Sequence, residues 1–176
     1  MRIIPSFANT MTPARQQRKR YRVCGAAIAG LLLALSTGLP LTHAATTERI
    51  VVDWHTGLAI GGYDPVAFFT DGKPIAGRPD FELRYGGAVW RFCNIGNKEA
   101  FAARPDVYVP QFGGYDPVGV ARGLAVAGSP DHWLISGERL FLFYDQARLE
   151  RFSADPERAI AAAERKWLEV SRTLSP

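Results

Sequence analysis

An internal repeat constrains the fold of this chain more than any other feature of its sequence. Residues 61–66, Gly-Gly-Tyr-Asp-Pro-Val, recur without change at 113–118, 52 positions later. After one residue of slippage the register continues at 51, so that Phe92 aligns with Phe143 and residues 101–105 align with 152–156. A match sustained over this length indicates one supersecondary unit used twice. The two copies span 61–108 and 113–160.

Each copy is predicted to fold as a turn, a β-hairpin and a helix. The Gly-Gly-Tyr-Asp-Pro segment favours a turn, since glycine permits positive φ and proline fixes φ. Hairpins are predicted from 81–85 with 88–92, and from 133–135 with 140–144. Asn94 and Asp145 are typical N-cap residues and predict a helix after each hairpin.

The second copy is predicted to continue into a longer C-terminal helix over 156–172. Asp155 can cap this helix and Pro156 suits its first turn. Val51 and Val52 predict a short strand before the first copy. The fold class is therefore α+β: two pseudo-repeated turn–hairpin–helix units in one compact domain, with a longer C-terminal helix.

The charge of the chain is concentrated in a predicted secretory leader. The formal charge is +4, but residues 1–44 hold six of the 21 basic residues and none of the 17 acidic ones. A basic segment, a short apolar stretch and Thr-His-Ala at 42–44 are typical of a cleavable signal peptide. Glycine and proline interrupt the apolar stretch, which disfavours a stable membrane span. We expect export to the periplasm and cleavage after Ala44.

The remainder, 45–176, is close to neutral and carries no enzyme or nucleic-acid signature. Without a basic stripe interleaved with aromatic residues, nucleic-acid binding is not expected. Phosphate loops, nucleophile elbows and His-Glu-x-x-His helices are absent from the sequence, which favours a non-enzymatic role. Cys93, His55 and His132 are the only thiol and imidazole side chains after residue 44.

Three segments together resemble the YHS domain family, in its exported bacterial form. They are 62–69 (GYDPVAFF), 85–93 (YGGAVWRFC) and 101–108, followed by 108–115 (YVPQFGGY). The resemblance covers roughly 60–167 and implies a link to heavy metals, copper above all, bound through cysteines. The thiol positions of the family fall on Ala67, Cys93 and Asn97, so that only Cys93 retains its sulfur.

This ligand inventory is poor for a soft metal. Cu(I) prefers thiolate, thioether or imidazole donors, and structural zinc normally takes four Cys or His ligands. The candidate metal ligands are Cys93, His132, Asp64 and Asp116. Cys93, just before a predicted helix, is either a metal or redox thiol or a small buried residue. His132 is either a ligand oriented by Asp131 or a surface histidine.

The repeated Tyr-Asp pairs can also be interpreted in two ways. Asp64 and Asp116 could approach each other and bind a hard cation, or could simply form turns beside packed tyrosines. Tyr63 and Tyr115 are the candidate lining of a ligand pocket between the copies.

Three functions follow from these residues. The first is an exported, non-catalytic binding module linked to copper or another heavy-metal ion, with a degenerate thiol set. The second is a metal-free scaffold of the periplasm for a small molecule or a protein. The third is a thiol-redox protein or weak enzyme that uses Cys93.

Overall fold

Two antiparallel hairpins, each followed by helices, form the frame of the molecule in a computed structural model. The structure describes residues 48–174, so the predicted leader, 1–44, lies outside them. The helices and strands are α1 (Ala67–Thr70), β1 (Arg78–Tyr85), β2 (Ala88–Phe92), α2 (Ile95–Ala103), α3 (Pro105–Tyr108), α4 (Pro117–Val120), β3 (Ser129–Ser136), β4 (Arg139–Phe143), α5 (Gln146–Ser153) and α6 (Pro156–Arg172). The predicted α+β class, with paired hairpins and a longer terminal helix, is confirmed.

The hairpins correspond residue by residue. Leu83 pairs with Trp90 in the first, and Leu134 pairs with Phe141 in the second. Each hairpin also has an irregularity at the same place, between 78 and 82 in β1 and between 129 and 133 in β3. The β1 and β3 bulges are 51 positions apart, like the sequence match around them.

The Gly-Gly-Tyr segments have nearly the same backbone angles in both copies. Gly61 has φ 66° and ψ 17°, and Gly113 has φ 65° and ψ 19°. These left-handed values suit glycine, which lacks a Cβ that would clash there. The tyrosine that follows is extended and bridges to an alanine, Tyr63 to Ala76 and Tyr115 to Ala127. The sequence repeat is therefore also a repeat of backbone shape.

The helices begin where capping residues predict. Asn94 Oδ1 accepts a hydrogen bond from the Asn97 amide at 2.8 Å, and Asp145 Oδ1 accepts one from the Arg148 amide at 2.9 Å. Asp155 caps α6, with Pro156 at its first position. Each cap satisfies an amide that the first turn of the helix leaves unpaired.

The predicted strand at Val51 and Val52 is wrong. Val52 forms only an isolated bridge with Ala59, while the Val51 amide donates to the Gly113 carbonyl at 2.8 Å. The segment is therefore held by the second turn and does not join a sheet.

The core consists of two apolar clusters that share strand β4. Phe141 and Phe143 belong to the second cluster, and Leu140 and Leu142 belong to the first, because successive side chains of a strand point to opposite faces. The first cluster comprises Ala59, Ile60, Val66, Phe68, Ala88, Trp90, Phe92, Phe101, Leu140 and Leu142. The second cluster comprises Val51, Phe112, Tyr115, Val120, Phe141, Phe143, Phe152, Ile160, Ala163 and Leu174. Within 48–174, no helix combines the length and apolar character needed to cross a membrane.

Candidate functional site

Asp64 lies at the centre of the first copy with its carboxylate fully buried. Oδ1 accepts hydrogen bonds from the amides of Val66 at 2.8 Å and Ala67 at 3.4 Å. Oδ2 accepts from the Cys93 amide at 2.9 Å and from Asn97 Nδ2 at 2.7 Å. Both oxygens are thus occupied by donors of the chain itself, which stabilise a buried carboxylate without a cation.

The three positions that carry thiols in the resembled family all meet at this carboxylate. Two of them, Ala67 and Cys93, donate their backbone amides to Asp64, and the third, Asn97, donates its side-chain amide. Asp64 therefore joins the Asp-Pro turn, the end of β2 and the start of α2.

The Cys93 thiol lies beside the same group and receives hydrogen bonds from Asn94 Nδ2 at 3.2 Å and Asn97 Nδ2 at 3.4 Å. Burial first, and then the hydrogen bond to Asp64 and its charge, raise the pKa of the thiol to about 11. The thiolate is the form that binds metals and attacks electrophiles, so the raised pKa disfavours both reactions of Cys93 near neutral pH.

Asp116 occupies the equivalent place in the second copy, also fully buried. Its Oδ1 accepts from the Val118 amide at 2.8 Å, as Asp64 accepts from Val66. Its Oδ2 accepts from Arg148 Nη1 at 2.5 Å, and Arg148 stands where the first copy has Asn97. The second copy therefore balances its buried aspartate with a cation, whereas the first uses an amide.

The four predicted metal ligands are only partly brought together. Cys93 and Asp64 are in contact, but Asp116 is engaged with Arg148. His132 lies in the irregular part of β3, and no hydrogen bond or ion pair joins its imidazole to another residue of 48–174. In this described part, no group of three or more His, Cys, Asp or Glu side chains is arranged to hold a metal ion.

The two predicted pocket tyrosines are packed differently. Tyr115 is fully buried in the second cluster, and its hydroxyl donates to the Glu48 carbonyl at 2.6 Å. Tyr63 is partly buried against the first cluster. Their role as ligand contacts stays a prediction.

A pocket of about 190 Å³ opens in the second copy, among α4, α5 and α6. Its rim carries two exposed arginines, Arg122 and Arg151. Its apolar walls are formed by Pro117, Val118, Ala121, Phe152 and Ala159. Sequence reasoning missed this pocket, although aligning the copies would have shown small residues in the second where the first has aromatic ones.

No protein-family model, curated protein or solved structure matches the chain.

Proposed function

We propose that the exported domain is a non-catalytic binding module of the YHS type that works without a bound metal. The observation that carries this proposal is the closed set of hydrogen bonds around Asp64. The family's three thiol positions converge on this carboxylate, which supports the resemblance. In this chain they supply two backbone amides and an asparagine, and so stabilise the fold.

The thiol that remains offers little to a soft metal. Its pKa of about 11 means that a metal would have to displace the proton and also disturb the hydrogen bonds that Asn94 and Asn97 make to sulfur. The same pKa counts against the thiol-redox function. The pocket in the second copy is the feature that favours binding of a small molecule.

Calorimetric titration of the exported protein with Cu(II), Ag(I) and Zn(II) tests the proposal. We expect no affinity tighter than ~10 μM for any of the three ions. Ala67→Cys combined with Asn97→Cys is the positive control, because it restores the family's three thiols around Asp64 and should create soft-metal affinity. Tight binding by the wild type that disappears in Cys93→Ser would overturn the proposal and reinstate the metal-handling role.

A further inference from the structure

Two of the residues that line the pocket in the second copy align with aromatic residues of the first copy. In the alignment of the copies, Phe69 corresponds to Ala121 and Tyr108 corresponds to Ala159. The rings of Phe69 and Tyr108 pack edge to face, with centroids 5.4 Å apart, against the first cluster. Both alanines line the pocket and pack against the second cluster. Two large side chains are thus replaced by small ones at matching positions, and an aromatic-sized space remains.

The positions that form the rim of the pocket are charged in the second copy and uncharged in the first. Arg122 and Arg151 stand where the first copy has Thr70 and Ala100. Neither guanidinium forms an ion pair with a carboxylate of residues 48–174. A guanidinium presents a planar set of donors that matches a carboxylate, so two unpaired ones beside an apolar pocket favour an anionic ligand.

We propose that this pocket binds a small aromatic carboxylate. The ring occupies the space beside Ala121 and Ala159, and the carboxylate reaches Arg122 and Arg151 at the rim. The volume is suitable, because a cavity of about 150 Å³ is known to hold benzene, and this one measures about 190 Å³. The inference rests on the proposed function and supplies the ligand class that a metal-free binding module requires.

Titration of the ¹⁵N-labelled exported protein with benzoate tests the inference. We expect a Kd of about 1 mM or tighter, with the largest amide shifts at residues 121, 122 and 159. Benzyl alcohol, which keeps the ring and lacks the charge, should bind roughly 5-fold more weakly or worse, and hexanoate should also bind more weakly. Added salt should weaken benzoate binding, since the rim arginines are exposed.

Variants that copy the first repeat locate the site. Ala121→Phe with Ala159→Tyr should fill the pocket and abolish benzoate binding, and Ala159→Tyr alone is the milder form if the pair impairs folding. Arg122→Ala should weaken benzoate by roughly 5-fold without affecting benzyl alcohol. Arg165→Ala is the matched control, because Arg165 is exposed on α6 and does not line the pocket.

Undiminished benzoate binding in a folded, filled variant would overturn the inference, as would the absence of binding to the wild type. Equal affinity for benzyl alcohol would refute the role of the arginines, and tighter binding of hexanoate would refute the aromatic class. These failures are distinct from failure of the proposed function, which would appear as tight metal binding that depends on Cys93.

Discussion

Replacing Asp64 by alanine should destabilise the domain by about 4 kcal/mol. The carboxylate accepts three hydrogen bonds of 2.7–2.9 Å and a fourth of 3.4 Å, and it is fully buried. A donor left without a partner costs ~1–3 kcal/mol, so three give at most roughly 3–9 kcal/mol. The Val66 donor is buried, whereas the Cys93 and Asn97 donors are only part-buried and fall toward the lower end. Removing a buried charge and admitting water offset part of this cost, which places the expected loss in the lower half of the range.

The assay is urea unfolding followed by tryptophan fluorescence, since Trp90 lies in the first cluster on β2, the strand that ends just before Cys93 and its bond to Asp64. A loss of 4 kcal/mol is a large part of the 5–15 kcal/mol typical of a whole domain. Asn97→Ala removes the 2.7 Å bond to Asp64 and the long 3.4 Å bond to the Cys93 sulfur, and should cost ~1–2 kcal/mol, so it remains measurable if the first variant does not fold. Asp80→Ala is the control, because Asp80 is exposed in a surface ion pair and should cost less than ~1 kcal/mol.

The double variant of Asp64 and Asn97 sharpens the test. If the two groups interact as the 2.7 Å distance indicates, the double variant should cost ~1 kcal/mol less than the two single losses added together. A loss below ~1 kcal/mol for Asp64→Ala, or strict additivity with Asn97→Ala, would refute the reasoning.

Three further predictions concern Arg148 and Cys93, the neighbours of the buried aspartates. Arg148→Ala should lower the free energy of unfolding in urea by ~3 kcal/mol, because it leaves Asp116 buried without its cation. Arg148→Asn should recover about half of this loss, since Asn97 reaches Asp64 from the equivalent place in the first copy. Equal losses in the two variants would contradict this prediction. Iodoacetamide should modify Cys93 at pH 8 roughly 100-fold more slowly in the folded than in the unfolded chain, because the pKa rises from about 9 to about 11, and Asp64→Asn should raise the rate. An alkylation rate in the folded protein equal to that of the unfolded chain would contradict the raised pKa of Cys93. By linkage, the free energy of unfolding should fall between about pH 9 and 11, where the unfolded thiol has lost its proton and the folded one keeps it.

The elements of the fold could be predicted because their signals are local. Gly86 and Gly87 mark the first hairpin turn, Asn94 and Asp145 cap the helices, and Asp155 with Pro156 sets the start of α6. Each of these signals acts on the backbone of residues that are close to it in the sequence. Because the sequence repeats, the hairpin signal and the helix signal each occur twice. The strand predicted at Val51 was wrong because the hydrogen-bond partner of Val51, the Gly113 carbonyl, belongs to the second copy, far away in the sequence.

The site could not be predicted in the same way, because its contacts join residues far apart in sequence. Asp64 meets Asn97 33 positions away, and Asp116 meets Arg148 32 positions away. A sequence pattern identifies Asp before Pro as a turn residue, but it does not say which donor will reach the second carboxylate oxygen. The exchange of Asn97 for Arg148 between the copies was the one visible signal that these positions matter.

Strand β4 makes the two copies dependent on each other. Its leucines complete the first cluster and its phenylalanines complete the second, while Val51, which precedes the first copy, lies in the second cluster. A chain severed at 109–110 would yield an N-terminal fragment lacking Leu140 and Leu142 and a C-terminal fragment lacking Val51. Neither fragment could close its interior alone, so folding would require the two to associate. Each of the two repeated units thus depends on residues outside itself to complete its apolar core.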